Sequence, residues 1–369
     1  MNVVEILKEL IKEKYYIGMP DNQSIIQMLL NYFSGAKEVK IVTDSNGLNH
    51  LLIGLNCELH DLDHAILLSG HMDTIKPGES WDTNPRVEDG KVYGLGSTDM
   101  KAFFASLIAN KDEIMGLGLP VVISITFDEE TLGNGIVAIV EELKKCNIHC
   151  DYALIGEPTE NQVVTSSRGN SVYVIKTIGK ACHSMRPENG INALYPIAQL
   201  VLFIESLNEK YKGIASLNPI LSEGGTMPNQ VCGLATLKLS IRTSSTTLRD
   251  QIIGEVSDKL NELSQQYQVE TVMIPVFELK AFERRESKIN SAIMTEFQKS
   301  EDEYMATTEA GEIQSMGIKE ITIMGPGDLN LAHKENEYCD LALLLEYSEM
   351  LPSILKMIVE KIKKKASNK

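Results

Sequence analysis

Four apolar runs in this chain end, directly or after a short turn, at a histidine or a carboxylate. Ala65-Ile-Leu-Leu-Ser-Gly runs into His71, and Val121-Val-Ile-Ser-Ile-Thr-Phe-Asp runs into Glu129 and Glu130. Tyr152-Ala-Leu-Ile-Gly leads to Glu157, and Ile321-Thr-Ile-Met-Gly-Pro-Gly stands six residues before His333. Runs of this length read as buried strands, and helical patterns separate them, which implies a largely parallel α/β sheet. In open sheets of that kind, ligands gather beyond the carboxyl ends of the strands. With Asp99, which lies at the amino end of the helical pattern Met100–Met115, these residues form a set of two histidines and several carboxylates. That is the donor set of a two-metal centre with a bridging carboxylate, because zinc takes imidazole nitrogen and carboxylate oxygen.

The spacing of the set dictates a domain organisation. Residues 1–167 read as helix, strands near 39–43, 50–55 and 65–69, a hairpin around Val87 and Val92, the Met100 helix, strand 120–127, helix 134–146 and strand 152–156. From 168 to 277 the order becomes β-α-β-β-α-β, a ferredoxin-like arrangement, and from 278 to 369 the first pattern returns. The expected fold is therefore an α/β catalytic domain of 1–167 and 278–369 with a mainly parallel central sheet. A small α+β domain, 168–277, is inserted between Glu157 and His333, so the centre closes only when the chain comes back.

Charge and cysteine content narrow the partners. The net charge of −16 disfavours nucleic acid and anionic membrane, both of which need a basic surface. No apolar stretch approaches the ~20 residues of a membrane span, and the first residues read as an amphipathic helix rather than a signal peptide. The six cysteines, at 57, 146, 150, 182, 232 and 339, form no Cys-x-x-Cys pair, which suits reduced thiols in cytoplasm.

The residue types also suggest roles. Asp73, two residues after His71, can accept from the ring nitrogen that does not ligate, fixing the tautomer. Adjacent Glu129 and Glu130 should point to different sides, so one can bind metal while the other acts as a base. Metals lower the pKa of water towards ~7, within reach of a carboxylate base.

Ser69-Gly-His-Met-Asp-Thr74, Tyr93-Gly-Leu-Gly-Ser-Thr-Asp-Met-Lys101, Phe127-Asp-Glu-Glu130, Ile155-Gly-Glu-Pro-Thr159 and Ala332-His-Lys-Glu-Asn-Glu-Tyr338 occur in that order. Together they resemble the M20-type acetylornithine deacetylase/succinyl-diaminopimelate desuccinylase family of dinuclear zinc amidohydrolases, over about residues 65–345. The resemblance implies two Zn2+ per chain, with Co2+ able to substitute. It implies His71 and Glu157 on one metal, Glu130 and His333 on the other, Asp99 bridging, Glu129 as general acid/base and Asp73 orienting His71. It further implies that His183, in Ala181-Cys-His183-Ser, serves a neighbouring subunit's centre, so that the insertion is both lid and dimerisation domain of a homodimer. Asn229 and Arg242 match positions that hold the substrate carboxylate.

Thr308-Glu309-Ala310 and Gly325-Pro-Gly327 look like the acetylornithine branch, which implies hydrolysis of N2-acetyl-L-ornithine to L-ornithine and acetate, a step of arginine biosynthesis. Glu309 is the expected contact for the substrate's cationic end. Thr-Ser-Ser-Thr after Arg242, and Lys334-Glu-Asn after His333, depart from the branch pattern near the substrate. A desuccinylase, an acetyl-lysine deacetylase and a broader aminoacylase or dipeptidase stay open as alternatives, as does a metal-dependent binding protein without catalysis.

Overall fold

The computed structural model describes residues 2–367, with side chains to 364. Helix α1 (Val3–Lys12) buries Ile6, Leu7, Leu10 and Ile11, and α2 (Gln23–Tyr32) buries Ile25, Ile26 and Leu29. Helix α2 was not among the expected elements, although Ile25, Ile26, Leu29 and Tyr32 follow helical spacing. Strands β1 (Glu38–Thr43), β2 (Asn49–Gly54) and β3 (Leu62–His71) come next, then the hairpin β4 (Arg86–Glu88) and β5 (Lys91–Tyr93). The expected Met100–Met115 helix is two pieces, α3 (Lys101–Ala109) and α4 (Lys111–Met115), broken at Asn110. Strand β6 (Val121–Thr126), helix α5 (Asn134–Lys145), and strands β7 (Ile148–Ile155) and β8 (Val163–Ser167) complete this stretch.

The inserted segment runs β9 (Gly169–Ile178), α6 (Leu194–Lys210), β10 (Ala215–Gly224), β11 (Leu234–Thr243), α7 (Thr246–Tyr267) and β12 (Glu270–Leu279). The chain returns through α8 (Lys288–Phe297), β13 (Glu301–Tyr304), α9 (Ala310–Gln314), β14 (Glu320–Ile323), β15 (Tyr338–Asp340) and α10 (Leu341–Ser367). Strands β13 and β15 had no signal in the sequence: the first opens on Glu-Asp-Glu, and the second is three residues long.

The chain divides into two compact units, residues 1–166 with 284–304 and 308–369, and residues 167–283 with 305–307. The first holds an eight-stranded sheet in the order β1-β2-β6-β3-β7-β14-β8-β13. Its centre, β6-β3-β7-β14, is parallel, and antiparallel pairs join β1 to β2, β2 to β6 and β14 to β8. The central strands are buried on both faces, as Leu67, Leu68, Val122, Ile123, Ala153 and Leu154 are, each at 0% exposure. That is why their sequences read as continuous apolar runs rather than alternations.

The second unit is an antiparallel sheet in the order β10-β11-β9-β12, packed with α6 and α7 around Ile175, Leu200, Leu237, Leu239, Ile252 and Val256. This strand order and alternation of elements is the ferredoxin-like arrangement. No helix among the described residues is long and apolar enough to cross a membrane, and all six cysteines are free.

Candidate metal centre

Parallel pairing brings the chemical groups to one edge. His71 is the last residue of β3 and stands opposite Thr126, the last of β6, while Ser69 stands opposite Ile155, the last of β7. Glu129 and Glu130 therefore emerge just past β6, and Glu157 just past β7. Asp99 closes the loop before α3, and β14, parallel to β7, delivers the loop that carries His333.

Asp99 lies between the two histidines. Its Oδ1 is 3.1 Å from His71 Nε2 and its Oδ2 is 3.4 Å from His333 Nε2, one oxygen to each ring. His333 Nε2 also lies 2.7 Å from Glu130 Oε1. Donor atoms of His71, Asp99 and Glu157 fall within 4.8 Å of one another, as do those of Asp99, Glu130 and His333, and those of His71, Glu129 and Glu130. The first two triads share Asp99, the relation a carboxylate bridging two cations would have.

Electrostatics favour cations here. Burial pushes the Glu129 and Glu157 carboxyls well above their usual range, and neighbouring carboxylates add to the rise. Asp99 is buried, but its contacts with His333 and His71 hold its pKa below the usual range. His71 is desolvated, yet Asp73 and Asp99 raise its pKa well above normal, and Asp99 and Glu130 lift His333 to about 10. A largely buried cluster with more carboxylates than histidines, in which His333 is half-exposed, needs positive charge to keep its buried carboxyls ionised. Glu157 Oε1 is buried with no hydrogen-bond partner among the described residues, an oxygen that a metal would satisfy. Nitrogen and oxygen donors without a cysteine suit zinc in an open, catalytic type of site.

The surroundings differ in detail from the sequence reading. His71 Nδ1 is 3.0 Å from the main-chain oxygen of Asp73 and 3.5 Å from its Oδ1. The Asp73 carboxylate also accepts the backbone N–H groups of Glu129 at 3.3 Å and Glu130 at 3.1 Å. Those two glutamates sit in a turn rather than on the strand, and both reach towards His71. Strand alternation was therefore the wrong reason for expecting them to diverge.

Glu309 also departs from expectation. It is 2% exposed, accepts from Ser69 Oγ at 2.6 Å and from Thr126 Oγ1, and so ties β3 to β6 beneath the centre. A carboxylate turned inward onto two hydroxyls is not presented to a substrate ammonium group, so the expected contact is corrected to a structural tie.

Two further residues, Glu337 and Lys101, hold the Asp99 loop in place. Glu337 Oε1 accepts the N–H groups of Thr98 at 2.9 Å and Asp99 at 3.3 Å, which fixes the loop holding Asp99. The Lys101 Nζ, 1% exposed by residue, donates to Leu10 and Glu13 carbonyls at 2.9 Å each, fastening the end of α1 beside the same loop. Glu337 lies within the His333 motif and Lys101 within the Asp99 motif, so motif membership was the available signal.

His183, Asn229 and Arg242 belong to the second unit. The His183 segment pairs with the Asn229 segment through a bridge from His183 to Gln230 and a bond from Ser184 N to Asn229 O at 2.9 Å. Arg242, exposed on β11, donates to Thr307 Oγ1 at 3.3 Å. Within that unit, the structure joins the His183 and Asn229 loops directly.

Comparison with known proteins adds a lineage. The model of peptidase family M20/M25/M40 matches residues 67–357. An acetylornithine deacetylase from Buchnera aphidicola is 28% identical over 360 residues, 91% of each chain, and one from Pectobacterium atrosepticum is 29% identical over 318 residues, 79% of each. A tripeptidase from Staphylococcus aureus superposes with TM-score 0.75 at 19% identity, over 97% of this chain and 98% of that one. An M20 metallo-carboxypeptidase from Sulfolobus solfataricus gives TM-score 0.71 at 14% identity, over 97% of this chain and 100% of that one. At those identities the structural likenesses speak for the fold.

Proposed function

The chain belongs to peptidase family M20/M25/M40, and from that premise we propose that it is a two-zinc amidohydrolase that cleaves N2-acetyl-L-ornithine to L-ornithine and acetate. The observation that carries the hydrolase reading is the pair of triads sharing Asp99, with Glu129 beside them. The substrate rests on relatives named acetylornithine deacetylase that match along 91% of both chains. Peptide-cleaving neighbours, such as the Staphylococcus aureus tripeptidase, support a dipeptidase as the second reading.

In this reading His71, Asp99 and Glu157 would hold one metal, and Asp99, Glu130 and His333 the other; cobalt would serve as well as zinc. Bound there, the metals would polarise the acyl carbonyl and acidify water. Glu129 takes the proton as the water oxygen joins the acyl carbon. It then returns that proton to the amine nitrogen as the C–N bond breaks, which balances amide plus water to acid plus amine. A carboxyl whose pKa is raised by burial suits a group that must both take and give a proton. Asp73 and Glu337 hold the backbone of Glu129, Glu130 and Asp99 in place.

The inserted unit would supply the remainder. His183, acting from a partner subunit, would donate to the carbonyl oxygen, while Arg242, by a bidentate contact, and Asn229 would hold the substrate carboxylate. Dimerisation is supported by β10, an edge strand that exposes Ile220 and Leu221, and by α6, on which Tyr195 is 59% and Leu202 61% exposed. Free thiols and the relatives' activity support a cytoplasmic, arginine-forming enzyme.

The test is turnover of acetylornithine, acetyl-lysine, succinyl-diaminopimelate and dipeptides side by side on zinc-loaded protein. Acetylornithine should have the highest kcat/KM. In parallel, Glu129→Gln should abolish turnover while metal content stays near two per chain. Full metal loading with no turnover of any substrate would instead leave a metal-dependent binding protein.

A further inference from the structure

Glu129 and Glu130 ride on the turn that follows β6, and side chains from two other segments tie that turn down. Asp73 takes the N–H groups of the glutamates themselves, while His50 Nδ1 accepts the N–H of Phe127, where the turn begins, at 3.2 Å. The last backbone pair of β2 and β6 is Leu51 with Ile125, so the His50 side chain carries that ladder one step further. Behind the ring stands Asp44, just past β1 in the same hairpin. Its Oδ1 accepts the Asn46 and Leu48 N–H groups at 2.8 and 2.9 Å, and its Oδ2 faces His50 Nε2 at 3.5 Å. Both side chains are buried, and neither of these facing atoms has a hydrogen-bond partner among the described residues. A shift of about 0.5 Å would close a normal bond between them. The ring has little room to turn, since a Cβ built on Gly135, in the first turn of α5, would lie 2.4 Å from His50 Cε1.

We infer that Asp44 and His50 are positioning residues for Glu129: the carboxylate fixes the imidazole with its proton on Nε2, and the bare Nδ1 then holds the Phe127 N–H and with it the turn that presents the base. The inference rests on the amidohydrolase reading above, in which Glu129 moves the proton, and it adds two residues of the β1–β2 hairpin. A neutral imidazole has one N–H and one bare nitrogen, and the partner of each decides which is which. Burial holds the His50 pKa below its ordinary value, against the pull of Asp44, so the ring carries a single proton. With that proton on Nδ1, two N–H groups would meet at Phe127 and push the turn aside. Two other uses fit less well. Contact with substrate is opposed by the 0% exposure of His50 and by the main chain's hold on Nδ1. A purely structural acceptor for one amide needs no imidazole backed by a buried carboxylate, whose desolvation is unfavourable. An oriented buried network of this kind specifies a single geometry, and a base that must sit within ~0.5 Å of its productive place needs one.

The test compares wild type with Asp44→Asn, His50→Leu and His50→Asn, with rates expressed per zinc-loaded chain. Ring-nitrogen NMR of histidine-labelled protein reads the tautomer, the signals missing from His50→Asn being those of His50, and steady-state kinetics on acetylornithine read the base. Wild type should show His50 protonated on Nε2 and bare at Nδ1. Asp44→Asn exchanges one carboxylate oxygen for an amide nitrogen, whose N–H turned to Nε2 drives the ring proton to Nδ1. Its kcat should fall by at least about 10-fold with KM little changed. His50→Leu should lose a similar factor, and His50→Asn should recover most of it, because the amide oxygen stands where Nδ1 stood. A wild-type His50 protonated on Nδ1 overturns the inference. So does a kcat within about threefold of wild type in Asp44→Asn or His50→Leu, or a His50→Asn no faster than His50→Leu. Should the leucine variant fail to fold, the wild-type tautomer and Asp44→Asn still decide. Wild type inactive on every acyl-amino acid and peptide would sink the amidohydrolase reading itself, and this inference with it. Wild type active with Asp44→Asn equally active would sink this inference alone.

Discussion

Gly156→Ala probes how closely the fold ties its core to the metal centre. A Cβ built at Gly156 would lie 2.0 Å from Phe103 Cγ and 2.3 Å from both Cδ atoms. Carbon atoms pack at ~3.5–4.0 Å, so the ring or the strand end must yield by about 1.5 Å. Neither has room. Phe103 is fully buried on α3, with the Phe104 ring centroid at 5.2 Å and that of Tyr347 at 6.3 Å.

Overpacking of a closed core costs ~1–3 kcal/mol, and the depth of this overlap puts the expected cost at the upper end, about 3 kcal/mol. The displacement also reaches the chemistry from both sides, since Gly156 precedes Glu157 and α3 follows Asp99. Productive sites tolerate only ~0.5 Å of misplacement, and ~1 Å can cost 10²-fold in rate. Gly156→Ala should therefore lose zinc affinity and at least about 100-fold in kcat/KM.

Urea unfolding read by fluorescence and circular dichroism gives the stability term, and bound zinc measured after dialysis gives the second. A double-mutant cycle isolates the clash. Phe103→Ala alone opens a cavity worth ~3–5 kcal/mol, but combined with Gly156→Ala the added methyl fills part of that space and the overlap is gone. The pair should therefore be about 2 kcal/mol less destabilised than the sum of the singles. Gly70→Ala is the control, because its Cβ meets the Met100 side-chain end, Cε at 2.2 Å and Sδ at 2.8 Å, which can swing aside. A Gly156→Ala protein within about 0.5 kcal/mol of wild type, or strict additivity in the cycle, would refute this reasoning.

Chelation should abolish turnover, and zinc or cobalt should restore it. The loaded protein should gain about 2.7 kcal/mol at metal concentrations 100-fold above Kd; identical melting with and without zinc would contradict a centre short of positive charge. Lys101→Met tests a buried charge. Burial lowers Lys101 from 10.5 to about 8, so between those pH values the unfolded chain binds the extra proton and wild-type stability should rise with pH. The difference between wild type and the methionine variant in chelated protein should then move by about 3 kcal/mol from pH 7 to pH 10.5. A pH-independent difference would show that Lys101 keeps its proton in the fold.

Much of the centre was readable before the fold because its residues carry their chemistry in their types. His71, Asp99, Glu130, Glu157 and His333 stand at ends of apolar runs or of the helical pattern beside them, and burial of a parallel sheet on both faces is what makes such runs conspicuous. The β-α-β-β-α-β order of the insertion was likewise legible, since periodicity distinguishes strand from helix locally. Elements without periodicity were not: β13 is acidic and β15 is three residues long, and both depend on pairing with distant strands.

The sequence by itself determined the donor set, the element order and the family, because ligand types, apolar periodicity and motif order are local properties of the chain. Tertiary structure decided which atoms meet. It turned Asp99 so that one oxygen faces each histidine, drew the Asp73 carboxylate to the backbone of Glu129 and Glu130, and turned Glu309 inward onto Ser69 and Thr126. It also left the Tyr304 hydroxyl buried without a hydrogen-bond partner among the described residues. Orientation and burial arise from packing between segments far apart in the chain, and no local pattern encodes them.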